Sequence, residues 1–328
     1  MKRNIPNLSL YAILILIVVV MILLNPTRFP TMANFRSMAY QLPLLAFLSL
    51  GMMIPILSGG INLGIVATAN FTGIITALTL RSFTGGNPTE ASGLLVIISM
   101  AMGILAAMGA GLLSGFLTGY LRVPDMLATL GTMTLLNGVN IVLTKGYTLT
   151  GFPKSLITIG NGLFLGIPIP FYIFVIFTFI LYIILDKTTF GYSLYMLGSN
   201  YTAAKFSNID TKSIILKGFL LSSLFSAITA FIMIGQLNSV KANYAESYLL
   251  VAILACFLGG VDPSGGVGKV SGMVVSVVIL QVISSGVNLL RMDPFFIRAM
   301  WGFIIIAVLA INYFNEKAKS RIKVISNH

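Results

Sequence analysis

The chain has 328 residues, of which 57% are hydrophobic and only 9% are charged, and its formal net charge is +12. Soluble domains carry about 25% charged residues, so this composition excludes a chain made mainly of soluble domains. A membrane-spanning helix needs about 20 mostly apolar residues, and the sequence contains such stretches repeatedly. We therefore predict an all-α integral membrane protein in which residues 1–328 form one transmembrane domain.

The charged and reactive residues exclude several classes of function. Lysines and arginines are scattered singly between apolar runs, so they favour cytoplasmic loops and anionic lipid headgroups over a nucleic-acid partner. The single cysteine, Cys256, lies within an apolar run, and the single histidine is His328. We therefore expect no intrachain disulfide, no catalytic residues, no metal site and no cofactor.

One glycine run resembles a nucleotide-binding loop without meeting its requirements. A phosphate-binding P-loop reads Gly-x-x-x-x-Gly-Lys followed by Ser or Thr. Here Gly268-Lys269 is followed by Val270, and Pro263 stands where the first glycine is needed. The chain is therefore not expected to hydrolyse ATP itself.

The apolar stretches predict about ten transmembrane helices, some of them short or broken. In chain order they cover 8–24, 40–57, 62–80, 93–118, 124–143, 167–185, 214–235, 246–260, 269–290 and 296–314. The stretch 124–143 is only moderately hydrophobic and 246–260 is short. Each is either a full span or a re-entrant or tilted segment that other parts of the protein cover.

The distribution of basic residues predicts the orientation. Lys2 and Arg3 precede the first stretch as in a signal peptide, but no small-residue cleavage site follows, so we interpret this stretch as an uncleaved helix. With ten spans and a cytoplasmic N-terminus, the two densest basic groups, at 187–217 and 317–323, both lie inside, as the positive-inside rule requires. Both termini are therefore expected in the cytoplasm.

The longest predicted cytoplasmic connection runs from about residue 186 to residue 213. It is too polar to span and predicts short amphipathic helices at the membrane surface. Gly191 and Gly198 bracket the first of these, and Asn200 can cap the second. Taken alone, the pattern also fits an ordinary connecting loop.

Two similar glycine pairs interrupt the apolar sequence. One lies in Ser58-Gly59-Gly60-Ile61-Asn62 and the other in Leu258-Gly259-Gly260-Val261-Asp262. Broken helices expose backbone groups that bind polar solutes, but an ordinary turn fits equally well. The similarity of the two segments is also consistent with an internal repeat.

Uncharged polar residues in or beside the spans are candidates for a solute path. Ion-coupled carriers usually need a buried carboxylate, and no acidic residue lies securely within a span, so we expect a neutral, hydroxyl-rich solute and an external energy source. An ion-coupled secondary transporter and a membrane-embedded enzyme are the alternatives. Each candidate also fits a role in hydrogen bonding between helices. The candidates are Gly59, Gly60, Asn62, Asn70, Thr72, Asn137, Asn140 and Gln281.

Four motifs in the right order resemble the permease subunit of bacterial ABC importers for monosaccharides, the ribose/xylose/autoinducer-2 branch. Ser58–Gly64 is similar to the family's Ser-Gly-Gly-Ile-Asp-Leu-Ser, and Ala128–Met133 is similar to its Leu-Gly-Thr stretch. Leu254–Gly260 and Gly265–Gly268 resemble its late glycine motifs. In the loop, the residues that match the family pattern are Gly191, Tyr195, Gly198, Asn200, Ala203, Ala204 and Ile209.

The chain also departs from the family pattern. Asn62 stands where the family has aspartate, Tyr192 where it has arginine, and Asn208 where it has glycine. The loop at 186–213 keeps the pattern better than the segments that would face a solute. These departures favour a solute other than the commonest sugars, or one half of a mixed pair of permeases.

The resemblance implies a set of partners in the bacterial plasma (inner) membrane. Two permease subunits, either two copies or this chain and a paralogue, would form the path. Cytoplasmic ATP-binding subunits would grip the loop at 186–213, and an extracytoplasmic solute-binding protein would deliver the solute. Ala203 and Ala204 would be small enough to let a helix of this loop seat in a groove.

Overall fold

The computed structural model describes residues 8–293, 295–297, 299–307 and 310, and its regular structure is almost entirely helical. Two-residue strands form two small antiparallel pairs, β1 with β4 and β2 with β3. In chain order the elements are α1 Leu8–Leu24, α2 Met32–Leu57, α3 Ile65–Phe83, α4 Gly93–Gly119, α5 Asp125–Thr144, β1 Leu149–Thr150, α6 Lys154–Asn161, β2 Leu163–Phe164, β3 Ile167–Pro168, α7 Ile169–Lys187, α8 Thr189–Ser199, α9 Tyr201–Phe206, α10 Thr211–Leu237, β4 Ser239–Val240, α11 Tyr248–Leu258 and α12 Val270–Leu289.

Within the described residues, six helices are long and apolar enough to cross a membrane. They are α2, α4, α5, α7, α10 and α12. Shorter apolar helices accompany them at α1, at α11 and at 295–307. The prediction of an all-α membrane protein with some short spans is thus confirmed, while the last predicted span, 296–314, extends beyond the described residues.

The two segments of uncertain nature differ from each other. The stretch predicted at 124–143 is the unbroken 20-residue helix α5. The stretch predicted at 246–260 is α11, which has 11 residues. At about 1.5 Å per residue, α11 is roughly 16 Å long, about half of the hydrocarbon thickness of a bilayer.

Helix α2 forms the centre of the molecule. All its residues from Leu42 to Leu57 are buried, as expected for a segment that is apolar on every face. The ring of Phe47 packs edge-on against Phe174 and Phe177 of α7, with centroids 6.3 and 6.1 Å apart. The helix begins earlier than the predicted residue 40, because the Thr31 side chain caps a polar first turn that hydropathy alone does not mark.

Three long helices lie at the edge of the bundle. In an apolar stretch of 18 residues in each helix, only 28% of the residues are buried in α4, 28% in α5 and 22% in α7, compared with 89% in α2. The exposed apolar faces of these three helices are therefore available to lipid or to another membrane protein.

Helix α6 covers the end of α10 that lies away from α8 and α9. Gly160 packs directly on the backbone of Gly235. The Asn161 Nδ2 donates to the Gly235 carbonyl at 2.7 Å, and the Gln236 Nε2 donates to the Tyr40 carbonyl at 2.6 Å. We call helix α6, together with its contacts to Gly235, the α6 cap.

Candidate coupling and translocation sites

The connection between α7 and α10 folds into two capped helices, α8 and α9. The Thr188 hydroxyl oxygen accepts from the Gly191 amide at 3.3 Å at the start of α8. The Asn200 Oδ1 accepts from the Ala203 amide at 2.9 Å at the start of α9. The structure confirms both the short helices and the Asn200 cap, because side-chain oxygens satisfy amides that the first helical turn leaves unpaired.

The inner side of this connection packs on the rest of the chain. Gly191 lies against the backbone of Leu185, where a Cβ atom would collide with it, so α8 folds back over the end of α7. Leu194 and Ala204 are fully buried. The small size of Ala204 therefore serves packing within the chain, whereas Ala203 is exposed. Asn208 has a φ of 58°, which explains why glycine and asparagine both suit this position.

The outer side of the connection carries aromatic residues. Phe206, at the end of α9, is 87% exposed, and Tyr192 is 64% exposed. Lys205 is also exposed beside Phe206. The sequence marks Tyr192 only as a departure from the family pattern and does not mark Phe206 as a site residue, although large rings within a polar segment are the available signal for a protein contact. An exposed aromatic side chain on a helix is suited to insertion into a pocket of a partner protein.

The end of α8 contacts both glycine-rich turns of the chain. Gly198 lies directly against the Leu57 carbonyl oxygen and the Gly266 amide. A Cβ atom on Gly265 would lie 2.7 Å from the Gly59 nitrogen and 3.0 Å from the Gly198 Cα. We call these four residues, Gly59, Gly198, Gly265 and Gly266, the glycine junction.

Two hydrogen bonds reinforce the glycine junction. The Gly266 amide donates to the Leu57 carbonyl at 2.9 Å, which joins the α11–α12 loop to the end of α2. The Tyr195 hydroxyl donates to the Gly268 carbonyl at 2.9 Å, which joins α8 to the same loop. The glycine run that resembles a P-loop is thus a packing turn between helices.

The two glycine pairs occupy different positions in their turns. Gly59 has a φ of 93° in the first turn, whereas in the second turn the left-handed residue is Gly260, with a φ of 77°. The left-handed residue is therefore the first of one pair and the second of the other. The sequence similarity does not correspond to the same backbone conformation at each aligned position.

Asn62 connects the first glycine turn to α10. Its Oδ1 accepts from the Gly64 amide at 3.1 Å, and its Nδ2 donates to the Ser222 hydroxyl oxygen at 3.0 Å. The side chain is buried, with 4% exposed. An asparagine supplies both an acceptor and a donor here, whereas an ionised aspartate would supply only acceptors.

An open groove of about 890 Å³ runs along α5. Its lining includes Gly131, Thr134 and Gly138, together with leucine and valine side chains of the same helix. Beyond the helix itself, no atom lies within 4 Å of the Cβ position of either glycine. Asn137 is half-buried on the flank of this groove. The groove is shallow and mostly apolar, and it is the face that α5 leaves uncovered.

The other polar candidates are bound within the chain. Asn70 is buried and its Nδ2 donates to the Ala242 and Tyr244 carbonyls at 3.0 and 2.9 Å. Asn140 is buried and donates to the Ala67 carbonyl at 3.3 Å. The Oδ1 atoms of both asparagines have no hydrogen-bond partner, so each retains an unused acceptor.

Gln281 and Thr72 also bond within the chain. The Gln281 Nε2 donates to the Gln41 Oε1 at 3.3 Å. The Thr72 hydroxyl donates to the Thr68 carbonyl at 2.8 Å. The residues that line the α5 groove do not include Gly59, Gly60, Asn62, Asn70, Asn137 or Gln281.

Charged groups are kept to the ends of the helices. In every described helix, charged side chains lie within about two turns of an end. Among the described residues, no three histidine, cysteine or acidic side chains are grouped so that they could hold a metal ion. The middle of the described helices therefore presents hydroxyl, amide and backbone groups but no charged side chain.

The comparison with known proteins agrees with this architecture. The model of the family described as "branched-chain amino acid transport system / permease component" matches residues 34–311. The chain is 32% identical to a ribose import permease protein of Bacillus subtilis (strain 168) over 299 residues, which cover 90% of this chain and 89% of the relative.

Two relatives from Escherichia coli (strain K12) have similar coverage. The chain is 28% identical to an L-arabinose transport system permease protein, over 89% of this chain and 86% of the relative. It is 29% identical to a galactose/methyl galactoside import permease protein, over 93% of both chains. The comparison with solved structures gives no significant match.

The family match spans most of the chain, and the relatives extend over nearly their whole lengths. The six long apolar helices among the described residues fit such a membrane protein. The chain belongs to the permease-component family and is a multi-pass inner-membrane permease subunit of the ABC importer type.

Proposed function

We propose that this chain forms half of the translocation path of an ATP-driven importer for a monosaccharide. The observation that supports the solute class is the lack of charged side chains in the middle of the described helices, because a neutral sugar loses less hydration there than an amino acid zwitterion does. The relatives named for ribose, arabinose and galactose support a sugar over the branched-chain amino acids of the family description.

The α5 groove is the proposed lining of the path. It is open in the single chain, it carries Thr134, and Asn137 flanks it, so a second permease, either a copy or a paralogue, would close it. Asn70 on α3 and Asn140 on α5 are buried away from this exposed face, and they stay path candidates because each keeps an unused Oδ1 acceptor. The remaining path candidates, Gly59, Gly60, Asn62 and Gln281, keep that role only as a proposal, because their contacts within the chain also account for them.

Thiol cross-linking tests the α5 groove. In a Cys256→Ser background, Thr134→Cys should form an oxidative cross-link between two permease chains. Val175→Cys, on the exposed face of α7, is the matched control and should not. Cross-linking to a different permease would identify a mixed pair, and cross-linking from Val175→Cys alone would contradict the assignment of α5.

The loop at 186–213 is the proposed contact with cytoplasmic ATP-binding subunits. Phe206 and Tyr192 would be the anchors, Ala203 would lie in the contact, and Asn200 and Gly191 would hold the two helices in shape. Gly198 and Tyr195 would transmit the movement, since α8 is joined through the glycine junction to the ends of α2 and α11 and the start of α12. Ala204 and Ile209 would stiffen α9 from the inside, where Ile209 donates its amide to the Ala204 carbonyl at 3.2 Å.

On this proposal the chain supplies no ATP chemistry. ATP binding on the partner subunits would move α8 and α9, the glycine junction would pass the movement to α2 and α12, and the path would open to the other side. An extracytoplasmic solute-binding protein would deliver the sugar at the face that carries α6. Both termini would then lie in the cytoplasm.

Reconstitution tests the energy source and the solute together. The chain with its ATP-binding subunits and solute-binding protein in vesicles should take up labelled ribose, arabinose or galactose only with ATP. Leucine uptake in the same vesicles is the control for the alternative solute class. Uptake by the chain alone, driven by an ion gradient, would instead establish a secondary transporter.

A further inference from the structure

A small apolar hairpin precedes α7: Pro168 is buried, but one side of the hairpin is left exposed by the described chain. Strands β2 and β3 pair Leu163 with Pro168 and Phe164 with Ile167. The exposed fraction of the side chain is 49% for Leu163, 60% for Phe164, 84% for Leu165 and 41% for Ile167. Such exposed apolar side chains in a small hairpin would be costly in water.

The base of the hairpin is held in one position. The Ile169 amide donates to the Gly162 carbonyl at 2.9 Å, which closes the hairpin against the end of α6. The Tyr172 hydroxyl donates to the Phe164 carbonyl at 3.2 Å, and the two rings pack edge-on with centroids 5.8 Å apart. The hairpin is therefore fixed at the level of the first turn of α7.

The length of α7 locates that level relative to a bilayer. The helix has 19 residues, so it is roughly 28 Å long, close to the hydrocarbon thickness of about 30 Å. No charged residue lies between Asn161 and Asp186. The apolar surface of the hairpin thus continues without a charged break into the exposed side of α7, where Val175, Ile176 and Phe179 face outward.

The backbone of the tip limits how deeply the hairpin lies. Leu165 and Gly166 have φ values of 49° and 81°, the positive values of a tight two-residue turn. Polar backbone groups at such a tip need water or lipid headgroups as partners, because the hydrocarbon core provides none. Tyr172, which packs on Phe164, is one of the residue types that concentrate at membrane interfaces.

We infer that the hairpin 163–168 is a membrane-interface anchor, with Leu163, Phe164, Leu165 and Ile167 inserted at the boundary between lipid headgroups and acyl chains on the face where α7 begins. Because Gly162 and Asn161 connect the hairpin to α6, the anchor ties the α6 cap to the bilayer. This inference depends on α7 crossing the membrane and not on which solute is carried or which partner supplies ATP.

Tryptophan fluorescence in vesicles tests the anchor directly. The chain has one tryptophan, Trp301, so a Trp301→Phe background carrying Leu165→Trp contains a single probe. The vesicles are phosphatidylcholine brominated on the acyl chain either near the headgroup or near the chain end, and iodide, present both inside and outside the vesicles, is the aqueous quencher. Ile176→Trp on exposed α7 is the lipid control, and Val267→Trp, 44% exposed in the α11–α12 loop, is the aqueous control.

The anchor predicts that bromine near the headgroup quenches the Leu165→Trp emission more than bromine near the chain end does. It also predicts weaker iodide quenching of this variant than of Val267→Trp. Iodide quenching equal to that of Val267→Trp, with no effect of brominated lipid, would overturn the inference and leave the hairpin as a surface for water or a soluble protein. If Leu165→Trp elutes as an aggregate, Phe164→Trp gives the same test.

Discussion

The glycine junction and the α6 cap use the same close backbone packing at opposite ends of the helical bundle, but different exposed surfaces lie beside them. At the junction, Gly198 touches two loops that end or begin other helices, and its helix is followed by the exposed Phe206. At the cap, Gly160 rests on Gly235 and side-chain hydrogen bonds close the contact. Close packing alone therefore does not identify a moving part. The exposed aromatic residues of the loop at 186–213 favour a moving contact at the junction, whereas the exposed apolar hairpin beside the α6 cap favours a fixed contact with lipid.

Gly198→Val is expected to have the largest effect of the changes that separate the two regions. The added carbons would overlap Leu57 and Gly266, and overpacking of this kind costs about 1–3 kcal/mol. This cost falls on the contact that would transmit movement. Since about 1.4 kcal/mol corresponds to a factor of roughly ten, sugar uptake should fall by about tenfold or more. ATP hydrolysis by the assembled importer should fall much less, so the ratio of uptake to hydrolysis measures the effect.

Gly109→Val is the matched control for this substitution. Gly109 lies on α4 and its Cβ position meets open space, so uptake and hydrolysis should both stay near the values of the unchanged chain. An equal fall of uptake and hydrolysis in Gly198→Val, together with loss of assembled importer, would show that the junction is only structural.

Gly160→Val is expected to lower stability and leave coupling intact. The new side chain would overlap the backbone of Gly235 and Gln236, again at about 1–3 kcal/mol. The melting temperature of the purified chain in detergent should fall, while the ratio of uptake to hydrolysis in the surviving importer stays unchanged. A changed ratio with an unchanged melting temperature would assign the α6 cap to the moving parts.

Asn161→Ala is expected to have the smallest effect of the three. It removes the donor to the Gly235 carbonyl and a longer bond to the Gln236 carbonyl at 3.3 Å, a loss of about 1 kcal/mol. The melting temperature should fall by less than it does in Gly160→Val. A fall equal to that of Gly160→Val would mean that the hydrogen bonds, rather than the glycine contact, hold the cap.

The sequence predicts the helices better than it predicts their contacts. Hydropathy places α1 at its observed bounds of Leu8–Leu24 and gives α4 and α12 to within a residue, because apolar length is a local property. The loop is also predictable in part, since Asn200 is a recognisable cap. Hydropathy misses the early start of α2, because the cap at Thr31 begins a polar first turn.

Contacts between distant segments are the part that the sequence does not reveal. Nothing in the separate patterns of Gly59, Gly198 and Gly265 shows that they meet, because their packing depends on three separate chain segments. The inward direction of Ala204 and the outward direction of Phe206 are likewise set by how α9 sits on the bundle. The same is true of Asn62, whose bond to Ser222 joins residues 160 positions apart.

The most direct test of the account is whether Phe206 holds a cytoplasmic ATP-binding subunit. The unchanged chain should co-purify with that subunit, and Phe206→Ala should weaken the complex by about 2 kcal/mol or more, as for a central aromatic anchor. Phe179→Ala, at a 62% exposed phenylalanine on α7, is the control and should leave binding unchanged. Loss of the subunit in Phe206→Ala alone is the predicted result, and equal retention by all three chains would contradict the assignment of the loop at 186–213.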